Sequence, residues 1–226
     1  MIDIKHVFFD LDHTLWDFDR NSKLTFQQIF EEQNITLSIQ DFLKVYMPIN
    51  LEYWRLYRED KIQKEDLRYK RLKDTFDAVN FEVQDELINK IAEDYIKYLP
   101  NYNYLIDGTK EILEYLESKY KLHIITNGFE EVQNLKIEKS GIKKYFREVI
   151  TSESVGVKKP NKKVFEYALS KVNTEASKTI MIGDSYEADV LGGLNAGMLA
   201  IYFSPEKKQE NGVLTINSLI ELKQYL

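Results

Sequence analysis

Four short apolar runs, spaced along the chain and separated by helical stretches, most constrain what this sequence can fold into. They are Val7–Leu11, Leu122–Thr126, Thr179–Ile182 and Met198–Phe203, with Glu148–Thr151 as a weaker fifth. Each is too short for a core helix and nearly continuous in apolar residues, the pattern of a strand buried on both faces. Between several of them lie amphipathic stretches. Thr109–Tyr120 places Ile112, Leu113 and Leu116 on one face, and Lys162–Val172 repeats Val164, Phe165, Ala168, Leu169 and Val172 at i, i+3/i+4. Strand–helix alternation of this kind predicts an α/β fold with a parallel, Rossmann-like sheet.

The segment from about 18 to 99 breaks that alternation. It carries no convincing strand, and helical spacing recurs through Phe26, Ile29 and Phe30, through Leu72 and Phe76, and through Leu87, Ile88, Ile91 and Tyr95. Ser38 and Asp41 fit an N-cap and its N3 acid, and Pro48 is expected to kink or end the helix that they start. The reading is therefore an inserted α-helical domain at 18–99 within an α/β core made of 1–17 and 100–226.

Composition narrows the class. The 226 residues include no cysteine, which excludes disulfides, thiolate metal sites and cysteine nucleophiles, and fits a cytoplasmic protein. The net charge of −6 disfavours a nucleic-acid binder. The longest apolar run, Met198–Phe203, is far short of the ~20 residues of a membrane span. Asp3 and Asp10 interrupt any secretory signal, so no membrane or export role is expected.

Chemistry-bearing residues cluster where the apolar runs end. Asp10-Leu11-Asp12-His13-Thr14 places two carboxylates together after the first run. They project to one side if the strand continues, or fan around a loop if it ends. Two close carboxylates suit either a cation or a raised pKa and general-acid chemistry. Thr126-Asn127-Gly128 ends the second run, as an anion cradle at a strand-to-helix turn or an Asn-Gly hairpin; the helical pattern from Glu130 favours the cradle. Lys158-Lys159-Pro160 precedes the Lys162 helix, and a fixed lysine there would balance a phosphate. Gly183-Asp184-Ser185 ends a further run, with Asp189 a little over one helical turn later. Capping by Asp184 or Ser185 explains one of those acids but not both.

Taken in this order, the four motifs resemble the haloacid dehalogenase-like hydrolases, and the helical insert matches that family's α-helical cap. The resemblance implies Asp10 as nucleophile, Asp12 as general acid and base, and Thr126 with the Asn127 backbone as phosphate ligands. It also implies Lys159 as the lysine paired with nucleophile and phosphate; Lys158 matches less well. Asp10, Asp184 and the backbone carbonyl of Asp12 would hold Mg²⁺, with Asp189 in support. The family often carries glycine where this chain has His13, whose role is left open. Asp12 favours phosphoester chemistry over dehalogenation, because an ester oxygen needs a proton on leaving. The strings FDLDHTLWDF, TNGFEEVQ and SESVGVKKPNKKVFEYAL are similar to the pyrimidine 5′-nucleotidase branch. The expected activity is therefore Mg²⁺-dependent hydrolysis of a small phosphorylated metabolite, a nucleotide, through an aspartyl-phosphate. Sugar or glycolate phosphatase, phosphosugar mutase and a non-catalytic phospho-acceptor or binding module are the alternatives, and the oligomeric state is left open. Aromatics such as Trp16, Phe18, Tyr46, Tyr53 and Trp54 would either stack on a base or fill the insert's own core.

Overall fold

The computed structural model describes residues 3–206 and 212–226 and divides into two compact units, 1–18 with 103–226, and 19–102. The first holds six parallel strands: β1 (His6–Phe9), β2 (Lys121–Thr126), β3 (Phe146–Thr151), β4 (Thr179–Gly183), β5 (Leu199–Phe203) and β6 (Leu214–Ile216). Their order across the sheet is β3-β2-β1-β4-β5-β6. The expected α/β, Rossmann-like parallel sheet is thus what the chain builds.

The most apolar strand takes the centre. Val7, Phe8 and Phe9 are wholly buried, and β1 pairs with β2 on one side and β4 on the other. Burying each such side chain is worth roughly 1.5–3 kcal/mol. β1 ends at Phe9, so Asp10 and Asp12 fan around a loop instead of continuing along a strand. β3 begins two residues before its expected start, and a register shift between Leu122 and His123 accommodates it. β6 was not expected: three residues at the sheet edge carry too little pattern to stand out.

The helices of this unit are α5 (Thr109–Glu117), α6 (Glu130–Lys139), α7 (Ser152–Val155), α8 (Lys162–Lys171) and α9 (Gly192–Asn195), with a π-helical turn at Tyr186–Leu191. α6 follows Asn127-Gly128 directly, which settles that dipeptide as a strand-to-helix turn and not a hairpin.

The second unit is helical, as expected: α1 (Phe18–Glu32), α2 (Ile39–Arg58), α3 (Lys64–Ala78) and α4 (Asp85–Tyr98). Ser38 caps α2 by accepting from the Asp41 N–H. Pro48 does not end α2, which runs on to Arg58. A proline costs one backbone hydrogen bond, and the buried face of Phe42, Tyr46, Asn50 and Tyr57 holds the helix on both sides of it. The unit's core is aromatic. Phe26 stacks on Tyr95 with ring centroids 4.6 Å apart and meets Phe42 edge-on at 4.9 Å. Tyr46 belongs to this core, stacked on Phe42. Trp16, in the first unit, is also wholly buried, whereas Tyr53 and Trp54 are half-buried. Among the described residues no helix is long and apolar enough to cross a membrane.

Candidate active site

Parallel pairing places the carboxyl ends of β2, β1 and β4 side by side, so Thr126, Asp10 and Asp184 meet at one sheet edge. In open α/β sheets this edge, where strand order reverses, is where ligands bind. The Asp10 N–H donates to the Ile182 carbonyl at 2.9 Å, continuing the β1–β4 pairing just far enough to fix the Asp10 backbone.

Lys159 is the centre of the cluster. It follows Val157-Lys158, leads into a cis peptide to Pro160, and is 1% exposed. Its ammonium donates to Asp10 Oδ1 at 2.7 Å, Asp189 Oδ1 at 2.6 Å and the Ile125 carbonyl at 2.7 Å. Its backbone is held as firmly. The Asn127 side chain accepts from the Lys159 N–H at 2.8 Å and donates to the Lys159 carbonyl at 2.9 Å. Asn127 therefore anchors the loop that carries the lysine, a use of its side chain that sequence reasoning missed.

Asp10, Asp184 and Asp189 form a compact acidic group, with one ligand atom from each lying within 4.8 Å of the others. Burial is the largest influence on Asp10 and pushes its carboxyl well above the ordinary range; the charges of Asp189 and Asp184 add to this, and Lys159 opposes it. Burial also lifts Asp184 to about 7, with Asp189 contributing. Burial works against the Lys159 charge, but Asp10 and Asp189 outweigh it and hold the ammonium above its usual value.

Three carboxylates thus face one ammonium, in a set of oxygen donors only. That charge imbalance and donor chemistry fit a hard divalent cation, which prefers carboxylate and water oxygens. Both Asp189 oxygens are engaged, Oδ1 by Lys159 and Oδ2 by the Ser185 N–H at 3.0 Å. Asp189 reaches this position from the π-helical turn, started by Ser185 accepting from the Ala188 N–H. Such turns recur at functional sites. Gly183 makes room: a Cβ there would lie 2.2 Å from Asp189 Oδ2. Thr14, quoted in the first motif but given no role, is wholly buried and holds Asp184. Its hydroxyl donates to Asp184 Oδ1 and accepts from the Asp184 N–H, each at 3.1 Å.

Asp12 lies outside the acidic group. Its Oδ1 accepts from Lys136 at 2.7 Å and its Oδ2 from Gln133 at 2.8 Å, both on α6. Gln133 also donates to Thr126 Oγ1 at 2.7 Å, and the Gly128 N–H donates to the same hydroxyl at 3.2 Å. Sequence reasoning missed Gln133 and Lys136. The signal was present: two polar residues in the stripe that also buries Val132 and Ile137. His13 adopts a left-handed φ of +61°, which accounts for the glycine common at this position. Its ring stands 4.9 Å from that of Phe18.

A buried carboxylate clamped by lysine after β1, a second carboxylate two residues on, and two further acids beyond the end of β4 lie together at the carboxyl edge of a parallel α/β sheet. Residues 7–203 match the haloacid dehalogenase-like hydrolase family, and the chain belongs to it. Among its relatives, the pyrimidine 5′-nucleotidase YjjG of Escherichia coli is 34% identical, covering 97% of this chain and 96% of its own. The pyrimidine 5′-nucleotidase PynA of Streptococcus pneumoniae is 32% identical, over 89% of this chain and 84% of its own. The crystal structure of the HAD-hydrolase YfnB of Bacillus subtilis superposes with a TM-score of 0.90 at 30% identity, covering 99% and 98% of the two chains. That structure is described as bound to magnesium and as revealing interdomain movement.

Proposed function

We propose that this chain is a Mg²⁺-dependent phosphomonoester hydrolase that works through an aspartyl-phosphate, with pyrimidine nucleoside 5′-monophosphates as its substrate class. The observation that carries the chemistry is the division of labour between two carboxylates. Asp10 is clamped by Lys159 inside the acidic group, while Asp12 is held outside it by Lys136 and Gln133 of α6. A nucleophile and a proton carrier need that separation.

In the first half-reaction an Asp10 oxygen attacks phosphorus, and the ester P–O bond breaks as Asp12 gives its proton to the leaving oxygen. In the second, water attacks phosphorus and Asp12 takes its proton. The Asp10–P bond then breaks, releasing inorganic phosphate and regenerating both carboxyls. Thr126 and the Asn127 N–H bind phosphate oxygens. Lys159 offsets charge on nucleophile and phosphate and keeps Asp10 oriented. Asp10, Asp184 and the Asp12 carbonyl would hold Mg²⁺, while Asp189 holds Lys159 in place. When bound, the ion would supply charge neutralisation at the transferring group.

The nucleotide reading is supported by two relatives named as pyrimidine 5′-nucleotidases, one of them matched over 97% of this chain. The test is phosphate release with Mg²⁺ from UMP, dUMP, TMP, AMP, phosphoglycolate and glucose phosphates. Pyrimidine nucleotides should be the best substrates. EDTA should abolish release and Asp10→Asn should reduce it by at least ~10⁴-fold. Equal or better rates on sugar phosphates would discard the nucleotide assignment and keep the chemistry. Retained turnover in Asp10→Asn would discard the nucleophile.

A further inference from the structure

We propose that Gln133 and Lys136 are positioning residues for the acid–base step. They fix the Asp12 carboxylate at both oxygens and tie it to the Thr126 hydroxyl. The inference rests on the phosphatase reading above and extends it to residues that neither the motifs nor the family match assigns.

Three positions separate the two residues on α6, so their side chains leave the same face. That face is buried: Gln133 is 1% and Lys136 2% exposed. A lysine is rarely buried without a specific partner. Here the ammonium meets Asp12 Oδ1 at 2.7 Å and also lies 4.3 Å from the ring centroid of the wholly buried Trp16. Phe18 adds a second aromatic face at 5.4 Å. Ion pair and cation–π contact together leave the lysine head little freedom to move away from Asp12.

Gln133 supplies the second fixed point. The same Nε2 lies within hydrogen-bond distance of Asp12 Oδ2 and Thr126 Oγ1. One amide therefore links the proton carrier after β1 to the phosphate ligand ending β2. The turn before α6 leaves space for it, since a Cβ at Gly128 would stand 2.4 Å from the Gln133 side chain. Two donors on two oxygens set the direction and the plane of the Asp12 carboxylate. Proton transfer depends steeply on such placement, and acid–base catalysis contributes roughly 10²–10⁴-fold when the geometry is right.

The experiment separates the two half-reactions by leaving group. p-Nitrophenolate leaves without a proton, so transfer of its phosphoryl group to Asp10 does not need Asp12 as an acid. Hydrolysis of the aspartyl-phosphate still needs Asp12 as a base. Rapid mixing with Mg²⁺ and p-nitrophenyl phosphate, and steady-state kinetics with UMP, are run on wild type, Lys136→Met, Lys136→Arg and Gln133→Met. In Lys136→Met the nitrophenolate burst should keep its rate within ~3-fold while the following steady phase slows by about 30-fold. On UMP, kcat should fall by about 30-fold with KM within ~3-fold, and Lys136→Arg should recover most of the loss. Gln133→Met should show the same split at about 10-fold, and carries the test if Lys136→Met does not fold.

Equal slowing of burst and steady phases, a loss confined to KM, or wild-type rates in both methionine variants would overturn the positioning role while leaving the phosphatase standing. No phosphate release by wild type from either ester would overturn the phosphatase reading, and this inference with it.

Discussion

Gly183 shows how small a change would disturb the site. Only a hydrogen fits where a Cβ would meet Asp189 at 2.2 Å. Gly183→Ala should push the Asp189 carboxylate off Lys159, leaving buried charges poorly paired. We expect a loss of about 2 kcal/mol or more in stability and at least tenfold in turnover, read by thermal melting and phosphate release. His123 makes a pH prediction. It lies buried between β1 and β3, within 3.0 Å of the His6 ring nitrogen and stacked on Phe8. Burial lowers its pKa to about 3, against about 6.5 in the unfolded chain. Between those values the unfolded state binds the proton and the native state does not. Its contribution to stability is therefore present above pH ~6.5 and is lost as pH falls towards 3. His123→Phe should show a smaller drop in Tm than wild type between pH 7.5 and pH 5. An equal drop would show that other groups set the acid limit.

At the scale of elements, α2 carries an unusual interior residue. Pro48 is exposed, so its ring contributes little packing, yet it forgoes the hydrogen bond to residue 44. Pro48→Ala should raise stability by about 1–3 kcal/mol, the helical cost of proline less its benefit in the unfolded chain. Thermal melting followed by far-ultraviolet circular dichroism checks this, and an unchanged Tm would mean that α2 has adapted to the ring. Elements were also where the sequence spoke most plainly. Val7-Phe8-Phe9 could be little other than a central strand, and the Ser38 cap marked the start of α2. β6 and the π-helical turn were not legible. Three edge residues make no period, and the turn depends on Asp189 reaching back to Lys159 and the Ser185 N–H, which no local pattern encodes. The same holds within the site. Strand ends marked Asp10, Thr126 and Asp184, whereas Gln133 and Lys136 left only a weak trace, two polar residues in an apolar stripe, and their partner Asp12 lies more than 120 positions away in the chain.

For the whole molecule, the acidic group makes stability depend on pH and on any cation that it binds. Asp10 and Asp184 both hold protons more tightly than ordinary carboxyls, Asp184 up to about 7. Folding is therefore favoured by the protonated forms, and this contribution is lost as pH rises through the folded-state values. A cation that binds the ionised forms should restore it. Saturating Mg²⁺ at about 100 Kd would add ~2.7 kcal/mol, several degrees in Tm for a protein of this size. The increment should be larger at pH 8 than at pH 6, where protons compete, and Asp184→Asn should shrink it at both. A Tm indifferent to Mg²⁺ at pH 8 would remove the ion from the site.

The three hydrogen bonds of Lys159 have a consequence for covalent labelling. All three N–H bonds of its ammonium are committed, and its raised pKa leaves almost none of the neutral amine that acylating reagents require. Under brief treatment with an N-hydroxysuccinimide ester, exposed lysines such as Lys162 should be modified while Lys159, three residues away, stays intact. Modification at Lys159 would then report opening of the native cluster, giving a mass-spectrometric gauge of how often the molecule exposes the buried carboxyl edge of its sheet.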